Sequence, residues 1–507
     1  MTLKKIILTL CVLFLINNIS LAKEQNLREM FQNNKSIIYS LNLRTFNAND
    51  KNGNGIIDFS EGENTGSFIN AIDRLDELKS LGINTLHLLP ITPVGKIKAL
   101  GTAGSLYALS DFTKLNLQLA DTNTELSLKE QAKLFIEECH KRNIKVIVDL
   151  PSCGAYDLFI NRPDLFVLDK DGEPCVPADW MDVRLFNVAN DSTLLNSDIF
   201  VLHKIFVNQM LELNIDGIRA DVATIKPYLF WEELIKYTRE KNPNFLFLAE
   251  ASESWTEPAS DKAYFTDYKQ LMDAGFDGYY GNYFELKNWE TMQDLSKSVK
   301  NQQKVLKKYN EKKSVIGSFA THDVVSPLLT GGENFSKIII WLNATLPLNP
   351  YYVDGFLQAD DYVYQYANKK ADETFTDDEY LYVHQGQIDI FNYSRKPGTD
   401  NKILIEEQIK AMKIREENSD IITNGSFKEL KTNNNKVFAY ERKLGKKSLI
   451  TIINRNLANS EDIKVKIKGI NKKSKISFID DTYSPKLVKS TFSAKLKPAE
   501  IIIFTIN

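Results

Sequence analysis

Asp221, Glu250 and Asp323 each end a short string that follows an apolar run of strand length. The strings are Gly217-Ile218-Arg219-Ala220-Asp221, Phe247-Leu248-Ala249-Glu250 and Ser318-Phe319-Ala320-Thr321-His322-Asp323. Arg219 lies two residues before Asp221, so on an extended chain both side chains leave from the same side. A guanidinium in that position favours the ionised carboxylate and orients it. Glu250 follows Phe245 to Ala249, and apolar surroundings raise a carboxyl pKa and keep the group protonated. An ionised carboxylate facing a protonated carboxyl group is what cleavage of a glycosidic bond with retention requires, the first as nucleophile and the second as acid. Asp323, with His322 beside it, is placed to hold sugar hydroxyls and to offset the charge of an oxocarbenium-like state.

Such groups must be brought together by a scaffold. From about Ser36 the chain alternates strand-like and helix-like segments. Strand candidates are Ile37–Leu43, Ile83–Leu89, Ile144–Leu150, Ile215–Ile218, Phe245–Ala249 and Ser314–Phe319. Helical spacing marks Phe68–Leu81, Leu128–Arg142, Ile199–Leu213, Phe230–Lys241 and Asp294–Asn310. Repeated helix-then-strand order with apolar strands predicts a parallel sheet with helices outside it. The count suits an eight-stranded (β/α)8 barrel, with the sixth and eighth strands poorly marked. In such a barrel the active site lies at the carboxyl ends of the strands. Residues 151–196 break the rhythm with Pro, Asp, Gly and Cys. After Leu404–Arg415, a last helical pattern, Leu449–Ile453, Ile463–Ile467, Lys475–Ile479 and Ile501–Ile506 read as the strands of an all-β sandwich.

The three strings, in this order and with Arg219 and His322 in place, resemble the catalytic regions of the α-amylase family, glycoside hydrolase family 13. More of the chain matches. Val146-Ile147-Val148-Asp149 is similar to the third-strand region, where the family's Asp is structural. Gly104 to Phe112 is similar to the segment with a sugar-stacking Tyr, here Tyr107, and Leu346 to Gly355 to the eighth strand and its loop. The resemblance implies a (β/α)8 barrel over 23–150 and 197–420, a short domain B-like excursion over 151–196, and a C-terminal β-sandwich over 421–507. It also implies Asp221 as nucleophile, Glu250 as acid/base, Asp323 as transition-state stabiliser, and Arg219, His322 and Tyr107 as substrate-binding residues; Trp255 is a further substrate-binding candidate by its position alone. Trp255 stands five residues after Glu250, where it could stack a sugar or simply pack.

The chain also departs from the pattern. Cys153 and Gly154 stand where the family usually has Asn-His, Thr224 and Ile225 where Lys-His often follows the nucleophile, and Thr321 where Asn often precedes His-Asp. Each lost sugar contact is worth about one or two kcal/mol, a rate factor of roughly ten. Two readings follow. One is an enzyme acting on α-linked glucans or maltooligosaccharides, by hydrolysis or by transglycosylation. The other is a non-catalytic glucan-binding or transporter-associated relative, which the four retained groups argue against.

Asp50, Asn52, Asn54, Gly55, Ile56, Asp58 and Glu61 fall at positions 1, 3, 5, 6, 7, 9 and 12 of a twelve-residue loop. Hard cations take oxygen ligands at this spacing, with the Gly making the sharp turn and the seventh residue giving its carbonyl. A structural Ca2+ held by Asp50, Asn52, Asn54, Ile56, Asp58 and Glu61 is therefore expected. Some α-amylase-family members carry a comparable loop after the first strand.

Lys4 and Lys5, the apolar run Ile6–Ile16 and Ser20-Leu21-Ala22 read as a secretory signal over 1–22, which implies a secreted or periplasmic protein with no membrane span after cleavage. Its removal changes the net charge from −3 to −5, because it deletes two Lys and no acid. A near-neutral balance argues against nucleic-acid binding. A monomer is expected. Cys153 and Cys175 share one loop-rich stretch and are candidates for a disulfide in an oxidising compartment.

Overall fold

The computed structural model describes residues 25–51, 57–99, 104–177, 180–191, 193–309, 312–360, 401–468, 475–478, 486–488 and 490–507. The signal segment 1–22 lies outside these residues, as do Asn52, Asn54, Gly55 and Ile56 of the acidic loop. Eight strands form one parallel sheet: β1 (Ile38–Leu41), β2 (Thr85–Leu88), β3 (Lys145–Leu150), β4 (Gly217–Ala220), β5 (Leu246–Ala249), β6 (Gly278–Tyr279), β7 (Ser314–Val315) and β8 (Tyr351–Val353). Their order is β7-β6-β5-β4-β3-β2-β1-β8. A parallel bridge between Ile316 and Asn349 joins the two ends of the sheet. The result is the expected (β/α)8 barrel. β6 and β7 are only two residues each, which is why the sixth strand carries no alternation to read.

The barrel strands are buried on both faces. Ile38, Ile147, Leu246, Leu248, Ile316 and Tyr351 form one inner cluster, closed from below by Leu27 and Phe31 of the N-terminal helix α1 (Leu27–Gln32). Arg28 and Gln32 on that helix both bond Asp277 Oδ1, at 2.7 and 3.3 Å. Outside the sheet pack α2 (Leu128–Lys141), α3 (Ser197–Glu212), α4 (Tyr228–Lys241), α5 (Pro327–Thr345) and α6 (Lys402–Glu417). Local chemistry sets their starts. Ser127 and Glu130 form a capping box on α2, Asn196 caps α3 and Asn401 caps α6. Phe68–Leu81, expected as one helix, is a 3-10 turn over Asn70–Arg74 followed by a short α-helix over Leu75–Ser80.

The excursion after β3 is small. Cys153–Gly154 pairs with Arg184–Leu185, Ala189–Asp191 pairs with Leu194–Leu195, and a short helix spans Tyr156–Asn161. Cys153 and Cys175 are free thiols, so the proposed disulfide is absent. Leu185 stands between them: it pairs with Cys153 in the sheet, and its N–H donates to Cys175 O at 3.0 Å.

Two antiparallel sheets form the C-terminal sandwich. One has Ser426–Glu429, Val437–Leu444, Lys447–Asn454, Ile501–Ile506 and Ile476–Phe478; the other has Lys431–Thr432, Glu461–Lys466, Thr491–Leu496 and Lys486–Val488. Val437, Ile450, Ile452, Ile463, Val465, Phe492 and Phe504 fill the space between them. Val437–Leu444 and Thr491–Leu496, which the sequence pattern leaves unmarked, are strands as well.

Arg415 on α6 ties this end of the barrel. Its guanidinium donates to the carbonyls of Asn343, Ala344, Leu346 and Leu348, within and just beyond the end of α5, and to that of Asn34 after α1. Burial pulls its pKa down to about 9, with the nearby charge of Arg442 adding to the fall and Tyr352 opposing it. Replacing it removes a donor from five buried acceptors. Arg415→Met is expected to lower unfolding free energy by about 3–5 kcal/mol, and Arg415→Lys to recover only part of that because an ammonium lacks the fork. Urea unfolding followed by circular dichroism measures both.

Candidate active site

The rim over the carboxyl ends of β3, β4, β5 and β7 gathers the acidic residues. Register does much of this. Asp149 pairs with Arg219 across β3 and β4, and Ala220 with Ala249 across β4 and β5. Asp221 and Glu250, one residue beyond those last partners, therefore emerge at the same height. Asp221 N–H continues the ladder to Leu150 O at 3.1 Å, and Glu250 N–H to Ala220 O at 3.0 Å.

Arg219 is the hub. It is wholly buried, with Nη1 3.1 Å from Asp149 Oδ1 and 3.1 Å from Asp221 Oδ1, and Nη2 2.8 Å from Glu250 Oε1. Its Nε donates to Tyr280 Oη at 3.1 Å, and its charge sits 5.2 Å from the Tyr280 ring centroid. Asp323 completes the group from the loop after β7, with Oδ2 3.3 Å from His322 Nε2. Tyr107 Oη donates to Asp149 Oδ2 at 2.6 Å and lies 2.8 Å from His322 Nε2. The Tyr107 and His322 rings are parallel within 4°, with centroids 5.9 Å apart.

One cation faces four carboxyl groups, so their protonation is shared. Burial would raise Asp149, but Arg219 and then His87 outweigh it and hold its carboxyl down at about 2. For Glu250 burial wins over Arg219; the charges of Asp221 and Asp323 add to it, and the carboxyl is pushed up to about 8. Asp323, its side chain 36% exposed, rises to about 7 through burial in the acidic cluster. The sequence reading had Arg219 alone keep Asp221 ionised. The contact exists, yet burial and the charge of Asp149 raise the Asp221 carboxyl above its ordinary value, with Arg219 opposing them. Burial pulls His322 well below its usual range, so its imidazole is neutral.

Val222 follows Asp221 in a left-handed conformation, φ 33° and ψ 56°. For a β-branched residue this is strained backbone, costing about 1–3 kcal/mol. Its N–H donates to Glu250 Oε2 at 2.6 Å. The strained turn thus ties the two rim carboxyl groups to each other through one backbone unit.

The structure brings together Asp149, Arg219, Asp221, Glu250, His322, Asp323 and Tyr107. Trp255 is half-buried in the turn after β5, its N–H on Ser252 O, and joins none of the cluster's recorded bonds. Asp50 is half-buried, and Asp58 and Glu61 are exposed on the loop after β1. Sequence reasoning missed His87 on β2. Its Nε2 lies 3.1 Å from Asp149 Oδ1 and its Nδ1 2.9 Å from Tyr351 Oη. A polar residue in the apolar run Thr85-Leu86-His87-Leu88 was the available signal.

The departure at Gly154 has a steric cause. A Cβ built there falls 2.6 Å from Phe186 Cε1 and 2.8 Å from Phe166 Cε1. Those rings pack on each other at 5.1 Å and fill the space a side chain would need.

No protein-family model matches the chain. A Bifidobacterium animalis α-1,4-glucan:maltose-1-phosphate maltosyltransferase is 26% identical over 211 residues, covering 39% of this chain and 28% of that protein. A Bacillus cyclomaltodextrinase is 26% identical over 213 residues, covering 38% and 35%. The chain thus spans about a third of the length of these curated relatives. The crystal structure of a maltogenic α-amylase from Thermotoga neapolitana superposes with a TM-score of 0.67 at 20% identity, covering 95% of this chain and 99% of the other. Its relatives in sequence and in fold are α-amylase-family enzymes. The barrel with its C-terminal β-domain is that family's architecture, and the carboxylate cluster lies where such a barrel carries its site.

Gly154→Ala is expected to destabilise the protein by about 1–3 kcal/mol through overpacking. Combining it with Phe186→Leu should return part of the loss. Thermal or urea unfolding of the two variants checks the assignment.

Proposed function

We propose that the protein is a retaining α-glucan glycosidase of the α-amylase type, with Asp221 as nucleophile, Glu250 as general acid and base, and Asp323 as stabiliser of the transition state. The observation that carries the reading is Arg219, whose two terminal nitrogens contact Asp221 and Glu250 at 3.1 and 2.8 Å. One guanidinium thus brings both carboxyl groups into a single small site, and the reading of a retaining mechanism takes them as the pair about 5–5.5 Å apart that such enzymes use. Glu250 holds its proton near neutral pH and gives it to the leaving oxygen. Asp221 attacks the anomeric carbon as the bond to the leaving sugar breaks. Glu250, now ionised, takes a proton from the incoming water, whose oxygen displaces Asp221. A sugar hydroxyl in place of water gives transglycosylation by the same route. Asp323 and neutral His322 accept from and donate to sugar hydroxyls, and Tyr107 supplies a ring against the sugar face. The likeness to a cyclomaltodextrinase and a maltogenic amylase supports α-linked glucose oligomers as substrates.

Starch, maltooligosaccharides, pullulan and trehalose, incubated with the protein and with Asp221→Asn, test this. Wild type should release α-configured sugars, and the variant should lose at least about 10³-fold in rate. Retention of configuration is read by proton NMR of the first products. Absence of turnover on every glucan, with binding retained, would favour the glucan-binding alternative.

The rate should also fall as pH rises past about 8, where Glu250 loses its proton. The sign follows from its role: the acid must be protonated, and its folded-state pKa is raised, so the active form dominates below that value. Glu250→Gln should remove this alkaline limb together with most activity.

We also propose that the loop from Asp50 to Glu61 takes a structural Ca2+, with Asp50, Asn52, Asn54, Ile56, Asp58 and Glu61 as ligands. The donor set is all oxygen, which suits a hard cation. Asp58 Oδ1 accepts from Ser60 N–H and Oγ, and this engages one oxygen and leaves the other. Glu63, two residues past the last ligand, is buried and accepts from Lys51 N–H and Asp58 N–H, closing the loop from beneath. The cation would fix the rim after β1 and take no part in the chemistry. Excess Ca2+ should raise the melting temperature, EGTA should lower it, and Asp58→Asn with Glu61→Gln should be indifferent to both.

We propose secretion or periplasmic export, resting on the segment 1–22, and N-terminal sequencing of the mature protein beginning at Lys23 would support it.

A further inference from the structure

Lys226 is a charged side chain only 1% exposed, on the turn that follows the nucleophile position. The 3-10 turn Ala223–Ile225 carries the chain back, and Lys226 Nζ donates to Ser152 O at 3.0 Å. The ammonium faces the rings of Phe230 and Trp231, 5.8 and 5.7 Å from their centroids. No carboxylate is in salt-bridge contact with it among the described residues. Removing an ammonium from water costs several kcal/mol unless something answers its charge.

Ser152 connects this ammonium to the site. Its N–H donates to Asp221 Oδ2 at 3.0 Å, and its Oγ donates to the backbone oxygen of Asp221. Ser152 is therefore held at three atoms by the segment 221–226: at both ends by Asp221 and at its carbonyl by Lys226. Asp221 Oδ1 is fixed by Arg219 and Oδ2 by Ser152, so the rotation of the carboxylate depends on where Ser152 stands.

We infer that Lys226 is a positioning residue for the nucleophile, fixing Ser152 against Asp221 and supplying a second positive charge behind a cluster of carboxylates that otherwise faces Arg219 alone. This rests on the reading of Asp221 as nucleophile. It goes beyond that reading because Lys226 touches neither substrate nor reacting atom. The titratable groups facing Lys226 are Asp221, the buried thiol of Cys153 from the loop after β3, and buried His203 from α3, whose pKa burial has pulled down to about 3. Cys153 is pushed up to about 12 by burial, and so stays a neutral thiol. His203 and Cys153 are thus neutral, which leaves Asp221 as the acidic group that Lys226 faces. Burial lowers the Lys226 ammonium to about 8, and the charge of Asp221 opposes that fall.

The test uses Lys226→Met, Lys226→Gln and Lys226→Arg, all compared with wild type on the glucan that wild type cleaves best. Lys226→Met should lower kcat about tenfold with KM within about twofold, and should move the acidic limb of kcat/KM up by about one pH unit. Lys226→Gln keeps a donor without the charge, so it should recover part of kcat and leave the limb shifted. Lys226→Arg should restore the limb. A folded Lys226→Met with kcat within twofold and an unmoved limb would overturn the inference, as would Lys226→Gln indistinguishable from wild type in both. A second readout needs no turnover. The Asp221 carboxyl carbon, labelled with 13C and assigned by its loss in Asp221→Asn, should titrate about one unit higher in Lys226→Met, or in Lys226→Gln if Met prevents folding. If wild type cleaves no glucan, the glycosidase reading fails while this titration still decides whether Lys226 acts on Asp221. A lysine that merely staples the loop would leave that titration unmoved.

Discussion

A single buried guanidinium holds the rim of this barrel together. Arg219 contacts Asp149, Asp221 and Glu250 from β3, β4 and β5, so three strands are tied at their carboxyl ends through one positive charge. The arrangement is costly in isolation, because a buried Arg and three buried carboxyl groups leave water together. It is kept because the strands fix the geometry in advance. The surplus of negative charge has a chemical result: not all of the carboxyl groups can be ionised at once. Asp149, between Arg219 and His87, stays ionised, whereas Glu250 and Asp323 are driven toward the protonated form.

The barrel supplies the rigidity this requires. Its interior is a dry cluster of Ile, Leu and Tyr plugged by Leu27 and Phe31, so the strands cannot slide relative to one another without exposing apolar surface. The strained Val222 turn and the buried Arg415 fork work in the same direction. The first holds the rim, and the second holds the opposite end of the barrel, where the segments leading into β1 and β8 meet.

The surroundings of the carboxylates differ from the family pattern in a coherent way. At Gly154 the Phe166 and Phe186 rings occupy the space, so no side chain can reach the site from there. At Thr224 and Ile225 the usual polar pair is missing, and one residue later Lys226 turns inward beneath the rim. Polar groups of the pattern are replaced by packing and by a buried cation behind Asp221. The carboxyl cluster and Arg219 match that pattern, whereas Gly154, Thr224 and Ile225 beside them do not.

The sequence by itself determined the barrel, the sandwich and the identities of the chemical groups. Apolar runs alternating with helical spacing dictate parallel strands covered by helices, and Asp, Glu and Arg at strand ends are legible because a strand's end is local. Arg219 and Asp221 on one side follow from a period of two. His87 escaped notice, since its neighbours Asp149 and Tyr351 are distant in sequence and only barrel closure joins them. The two-residue strands β6 and β7 left too few positions for a pattern, and Val437–Leu444 lies in a stretch whose alternation is broken by charge. Only the tertiary structure decided the proton affinities. Burial and the summed field of four carboxyl groups, an Arg and a Lys are properties of their mutual distances, and no local pattern encodes distances between residues that fold together from far apart in the chain. Gly154 shows the same limit: a lone glycine in a loop is mute until two phenylalanine rings are seen to fill the place of its side chain.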